Sequence, residues 1–109
     1  MSPEDRVRLL HMIEAADEAM SFVAGHAPTG LEKDRKTLFA VIRCIEIIGE
    51  AAGKVSDETR NNAPDVPWNA IVGMRNRLVH AYFDVDVDLV WKTTSIELPA
   101  LKARLQALI

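Results

Sequence analysis

Apolar residues return every three or four positions along nearly the whole of this chain, which confines it to helices packed on helices. Leu9, Ile13, Ala16, Met20 and Val23 make one stripe, and Leu38, Val41, Ile45, Ile48, Ala52 and Val55 make a second. Val87, Val90, Thr94, Leu98, Leu101, Leu105 and Leu108 make a third. This is the period of a helix with one face turned to a core. Only Phe83-Asp84-Val85-Asp86-Val87-Asp88 alternates with period two, and a turn into a helix is preferred there to a short strand. No repeat, low-complexity segment or linker divides the 109 residues, so residues 1–109 are expected to form one all-α domain, an antiparallel bundle of about four to five helices.

The helix ends can be read from their chemistry. Ser2-Pro3-Glu4-Asp5 combines a hydroxyl cap, a proline in the first turn and acids at the positive end of the dipole, so the first helix is expected to run to about Val23. Gly25 to Gly30, with Pro28 between, ends it. The second and longest helix is expected from about Leu31 to Val55. Phe39, Ile42 and Gly49 widen its apolar face enough to touch two neighbours, one of which would be a second subunit if not another helix of the chain. Ser56-Asp57-Glu58-Thr59 starts a short third helix before the Pro64 to Pro67 break. Trp68 opens a fourth, with Ile71, Met74 and Leu78, or Val72 and Val79, facing inward, ending between His80 and Phe83. The last begins near Asp84, Asp86 or Asp88, and Pro99 must kink or break it.

Composition then narrows the function classes. The net charge of -3 is spread evenly, with 7 basic and 9 acidic residues in 1–55 and 6 and 7 in 56–109, so any polyanion site must be local. The single cysteine, Cys44, excludes an intrachain disulfide and a cysteine-cluster zinc site, and its apolar neighbours mark it as core. Without a membrane-length apolar run or the basic lead of a signal peptide, the chain is expected to be soluble and cytoplasmic. Trp68 and Trp91 read as core anchors, and His11 and His26 as surface residues. The three histidines lie far apart in sequence and no metal-ligand spacing occurs, so neither a metal nor another cofactor is expected.

The densest polar chemistry lies in Met74-Arg75-Asn76-Arg77-Leu78-Val79-His80-Ala81-Tyr82-Phe83. Charges set among apolar residues either reach water or converge on something anionic, and the second is the reading preferred for Arg75, Arg77 and His80. On a continuous helix Asn76 and His80 share a face, whereas Arg75 and His80 stand roughly 140° apart. A kink, a helix end at His80 or a second copy of the chain would bring them together. Attack of a ribose hydroxyl on the neighbouring phosphodiester needs one group to take a proton, one to give a proton, and fixed positive charge on the phosphorane oxygens. An imidazole suits the proton work, a guanidinium fork suits the phosphate, and Asn76 suits either the His80 tautomer or the phosphate. The same residues also fit a helix C-terminus in which cations meet the negative end of the dipole. Glu46 and Glu50 are read as a solvated stripe, with orientation of a motif cation as the alternative.

Arg75-Asn76-x3-His80-x-Tyr82 resembles the signature of the HEPN superfamily, and its surroundings resemble the HepT-like (DUF86) branch. Ile47-Ile48-Gly49-Glu50-Ala51-Ala52, Pro67-Trp68, Ile71-x-Gly73-Met74, Val85-Asp86 and Val90-Trp91 extend the resemblance over nearly the whole chain. It implies a homodimeric helical bundle with a cleft between the copies, acting as the metal-independent endoribonuclease toxin of a toxin–antitoxin pair on tRNA or mRNA. It implies Arg75 and His80 as the catalytic pair and Asn76 as their support. It further implies that the antitoxin, a minimal nucleotidyltransferase, silences the toxin by transferring AMP to Tyr82. Ala81 stands where relatives often carry Gly. Asp84, Asp86 and Asp88 crowd the motif with negative charge, which leaves a second reading: a non-catalytic helical adaptor, or nucleotide-binding partner, of a nucleotidyltransferase.

Overall fold

The computed structural model describes residues 1–81 and 84–109. Its helices are α1 (Pro3–Val23), α2 (Pro28–Lys33), α3 (Arg35–Gly53), α4 (Asp57–Asn62), α5 (Trp68–Val72) and α6 (Met74–Leu78). A small antiparallel pair, β1 (Val79–Ala81) and β2 (Asp84–Val85), separates α6 from α7 (Val87–Lys92), a π-helical turn (Thr93–Glu97) and α8 (Leu98–Gln106). The fold is all-α, as the apolar periodicity requires.

The first helix starts where its sequence says, with Ser2 accepting from the Asp5 N–H at 3.1 Å. Asp5 itself is not a solvent-facing acid. Its carboxylate is buried and accepts from the Ser56 N–H (3.1 Å), the Ser56 hydroxyl and the Thr59 hydroxyl (2.6 Å). These bonds tie the start of α1 to the loop after α3, so the two long helices run antiparallel. Leu9, Met12, Ala16 and Ala19 of α1 and Leu38, Val41, Ile45 and Ile48 of α3 fill the core between them. Cys44 is buried in the same core. On another side α8 packs on α1, with Lys102 Nζ 2.6 Å from Asp17 Oδ1.

Two expectations need correcting and a third needs refining. The region after Gly25 is not all loop: Pro28 sits at the first turn of α2, where its missing N–H is harmless, and Asp34 splits the expected long helix. Asp34 accepts from the Thr37 N–H (3.1 Å) and hydroxyl (2.7 Å), which restarts the chain as α3. His26, expected at the surface, is half-buried against the same carboxylate, its Nε2 3.2 Å from Asp34 Oδ2. The Thr37 hydroxyl, then the Thr37 N–H and then His26 hold the Asp34 carboxyl below the usual range.

The second correction is that the helix opened by Trp68 stops at Leu78 and does not reach His80, and that Asp84–Val85 is a strand, not a turn into a helix. The Asp86 N–H donates to Leu78 O at 2.8 Å, closing the hairpin onto the helix end, and the Asp86 carboxylate then caps α7 through the Leu89 N–H at 3.0 Å. Third, Pro99 does interrupt the α-helix, as expected, but it does not end the helical path. The chain stays helical from α7 into α8 by widening one turn, so that the Leu98 N–H reaches back five residues to Thr93 O. The Ser95 hydroxyl donates to Trp91 O at 2.7 Å and the Thr94 hydroxyl lies 3.0 Å from Val90 O, occupying carbonyls that the wider turn releases. Both tryptophans pack inward as expected: Trp68 is buried with its Nε1–H on Ala63 O at 3.1 Å, and Trp91 is half-buried against the core.

No helix among the described residues is long and apolar enough to cross a membrane.

Candidate functional site

The polar motif is held against α3 by a close backbone approach. A β-carbon at Gly49 would stand 3.3 Å from both Ile71 O and Val72 O, tighter than ordinary packing, so glycine lets α5 lie directly on α3. Gly73 then separates α5 from α6, and the Asn76 N–H reaches Gly73 O at 3.1 Å. Met74 and Leu78 enter the core while Arg75, Asn76 and Arg77 are turned to water. Ile71 is inward and Val72 is 45 % exposed, which settles the two inward sets allowed by the sequence in favour of Ile71, Met74 and Leu78, with Val79 buried just beyond.

Arg75 and Asn76 share a concavity of about 360 Å³ with Ile45, Glu46, Gly49, Glu50, Gly53 and Val72. Glu46 and Glu50 therefore face the motif, yet they pair with neither of its arginines. Arg43 Nη1 lies 3.4 Å from Glu50 Oε1 and 4.0 Å from Glu46 Oε2. Arg77 points elsewhere, into an apolar cleft of about 290 Å³ between α5–α6 and the final helix, lined among others by Ile71, Met74, Ile96, Leu101 and Arg104. That cleft is the more enclosed of the two but lacks Arg75, Asn76 and His80.

His80 is exposed on β1 and does not line the concavity of Arg75 and Asn76. Val79 pairs with Val85 and Ala81 with Asp84, so β1 carries one more residue than β2 across the same span. His80 is that extra residue. A bulge of this kind aims a side chain away from the ladder and is frequent beside active sites. The hairpin and its bulge were not anticipated from sequence. The one available signal was the brief alternation from residue 83, which was read as a turn.

Among the described residues, no side-chain hydrogen bond or ion pair engages Arg75, Asn76, Arg77 or His80. The convergence on an anion expected from the sequence is thus not met within one chain, where the motif faces water. Asn76 does not hold the His80 ring. Tyr82, the expected acceptor of AMP, lies outside the described residues, as does Phe83. Exposed, unpaired cations and an imidazole on neighbouring elements leave a surface able to receive phosphate from outside.

Comparison with known proteins gives that surface its context. Residues 12–108 match the HepT-like family, described as ribonuclease HepT-like. A protein of Thermococcus cleftensis named "Probable ribonuclease HepT" is 45% identical over 75 residues, covering 69% of this chain and 68% of that one. Two proteins of Methanocaldococcus jannaschii are similar over more of the length. "Putative RNase MJ1380" is 34% identical over 97% of this chain and 98% of its own, and "Putative RNase MJ1216" is 33% identical over 93% and 84%. No solved structure gives a significant match. An all-α bundle with an exposed Arg-Asn helix and a bulged histidine defines a class of small helical proteins with an anion-receptive edge. Within that class, the chain belongs to the HepT-like ribonuclease family.

Proposed function

We propose that this chain, as one domain over residues 1–109, is a homodimeric, metal-independent endoribonuclease, the toxin half of a pair whose antitoxin is a minimal nucleotidyltransferase. The observation that carries the reading is the division of the motif: Arg75 and Asn76 open onto one concavity, His80 stands on a bulge outside it, and all three are exposed and without a side-chain partner among the described residues. A second copy facing this edge would complete the set, supplying a His80 to the Arg75 and Asn76 of its partner. The exposed Val72 and Phe39 on the same side of the molecule favour such a contact.

In the reaction, a ribose 2′-oxygen attacks the adjacent phosphorus and gives its proton to a neutral His80 imidazole. The bond from phosphorus to the 5′-oxygen breaks, and that oxygen takes a proton from the imidazolium of the other copy. The products are a 2′,3′-cyclic phosphate and a 5′-hydroxyl. Arg75 neutralises the phosphorane oxygens with a bidentate fork, and Asn76 holds the phosphate by its amide. Transfer of AMP to Tyr82, two residues from His80, silences the site by setting phosphate and bulk beside the arginines.

The test is incubation of wild-type and His80→Ala protein with a mixed tRNA and mRNA pool in EDTA, with the new ends mapped and the mass of each protein measured by sedimentation. The wild type cleaves to cyclic phosphate ends as a dimer, and His80→Ala, equally dimeric and folded, is slower by about 10²–10⁴. Equal cleavage, or none from unmodified wild type, returns the chain to the adaptor reading.

A further inference from the structure

A second concavity, lined by three cation-forming side chains, lies on the flank of α3 adjoining the Arg75–Asn76 surface. It occupies about 250 Å³ between α1 and α3 and is lined by Arg8, His11, Ile47, Glu50, Ala51 and Lys54. Arg8 and His11 stand three apart on α1 and are surface neighbours, and Lys54 caps α3 across the groove. We propose that Arg8, His11 and Lys54 form a second phosphate subsite, which grips the RNA backbone on the α1 side of α3 while Arg75 and Asn76 hold the strand on the other. The inference rests on the ribonuclease reading above and extends it.

Three observations support it. The ion pairs among the described residues join His26 to Asp34, Arg43 to Glu46 and Glu50, and Lys102 to Asp17, so none engages Arg8, His11 or Lys54. Arg8, which lines the groove, has a buried Nε with no hydrogen-bond partner among the described residues, a donor that the protein itself does not satisfy. The one carboxylate in the groove, Glu50, is directed at Arg43, its Oε1 3.4 Å from Nη1. Guanidinium, imidazole and ammonium from two walls, with the Glu50 carboxylate turned to Arg43, suit the oxygens of a phosphodiester.

Continuity with the first concavity points to a strand as the source of that phosphodiester. Glu50 lines both grooves. Gly49 and Gly53 face one, and Glu50 and Lys54, each one residue on, face the other, a step of about 100° around the same two turns of α3. The grooves are thus separated by no more than one helix, roughly 10 Å across, which a flexible single strand can straddle. The chain as a whole is acidic, so its hold on RNA has to come from such local groups.

The test measures binding of a single-stranded RNA to His80→Ala protein across a range of salt, with Lys54→Glu, His11→Gln and Arg8→Lys added singly and thermal melts confirming the fold. Lys33→Glu, on α2, is the control for net charge. Lys54→Glu is expected to weaken binding roughly five- to ten-fold and to lower the slope of log K against log salt by about 0.7, the loss of one phosphate contact. Lys33→Glu is expected to change neither beyond about two-fold. Equal effects of Lys54→Glu and Lys33→Glu, or an unchanged slope, would overturn the subsite. So would loss of ATP binding, measured in parallel on the same variants, with RNA binding intact, which would assign the groove to a free nucleotide. Failure of the ribonuclease reading shows separately, as absence of cleavage by protein with His80 in place, and leaves the binding measurement to decide the subsite.

Discussion

Replacing Asp5 with alanine removes the single carboxylate that fastens α1 to the start of α4, and its cost can be worked from the bonds it makes. The carboxylate accepts from the Ser56 N–H at 3.1 Å, from the Ser56 hydroxyl, and from the buried Thr59 hydroxyl at 2.6 Å. A hydrogen bond to a charged group contributes about 1.5–3 kcal/mol. The two hydroxyls lie 3.4 Å apart and can partly satisfy each other once the acid is gone. Counting two bonds at the low end gives about 3 kcal/mol, which at roughly 4 °C per kcal/mol is a fall of about 12 °C in Tm for a chain of this size. The assay is urea and thermal unfolding followed by circular dichroism, at fixed protein concentration.

The same contact dictates a pH dependence whose sign is definite. The Ser56 hydroxyl first, and then the Thr59 hydroxyl, lower the Asp5 pKa from its ordinary 3.8, against the opposing effect of burial. A carboxyl whose folded pKa is depressed contributes fully above its unfolded value and loses that contribution as pH falls through the folded one. The gap between wild type and Asp5→Ala is therefore constant from pH 7 down to about 4 and narrows below it. A gap under about 1 kcal/mol at neutral pH, or one that does not narrow in acid, would refute the assignment of these bonds.

Two further outcomes test packing around the site. Gly49→Val, which drives a branched side chain against Ile71 O and Val72 O, should cost about 1–3 kcal/mol and slow RNA cleavage in protein that still folds, because α5 and hence Arg75 must shift; full activity would show that this approach does not position the motif. Cys44 is buried, and burial first, with Glu18 second, pushes its thiol pKa up. Its reaction with a disulfide reagent should accordingly be slow in the native protein and rapid in denaturant, and Cys44→Ser should lower stability by about 1–3 kcal/mol in chemical denaturation.

The parts of the fold legible in the sequence are those decided by local chemistry. Ser2 with Pro3 and Ser56 with Thr59 each depend on residues within three positions and start helices where expected, and of the three aspartates that could open the next helix, Asp86 is the one that caps α7. Asp34 was missed because the polar run from Glu32 to Thr37 carries no glycine or proline to mark a break, and only the bonds Asp34 makes to Thr37 reveal one. Asp5 stands in the first turn of α1 as expected, but its further role as a tie to Ser56 and Thr59 could not be read, because those partners lie 51 and 54 residues away. Pro99 breaks the α-helix as expected, and what the sequence does not show is the widened turn, with Thr94 and Ser95 hydroxyls on nearby carbonyls, that keeps the path helical. At the site, the dense polar run identified which residues to watch. Their division between a concavity and a bulge could not be read, because it depends on where the helix stops, and the Asp86-to-Leu78 bond made by the returning strand closes it there.

Charge placement around the motif, finally, favours one direction for a bound strand. Of the three aspartates that crowd the motif in sequence, Asp86 is engaged in capping α7, while Asp84 on β2 and Asp88 on α7 remain exposed. Their negative charge lies on the hairpin and on α7, which packs against α2 and α6. Arg8, His11 and Lys54, which enter none of the ion pairs among the described residues, lie in the groove between α1 and α3, whereas α7 sets Lys92 alone against its carboxylates. A phosphate chain leaving Arg75 toward α7 meets exposed carboxylates, whereas one crossing α3 meets three cation-forming groups and a carboxylate already paired with Arg43. At the ~8 Å Debye length of physiological salt such local fields act over about one nucleotide step or two, so on the proposed ribonuclease reading this asymmetry, and not the overall charge of -3, is expected to set the path of a bound strand.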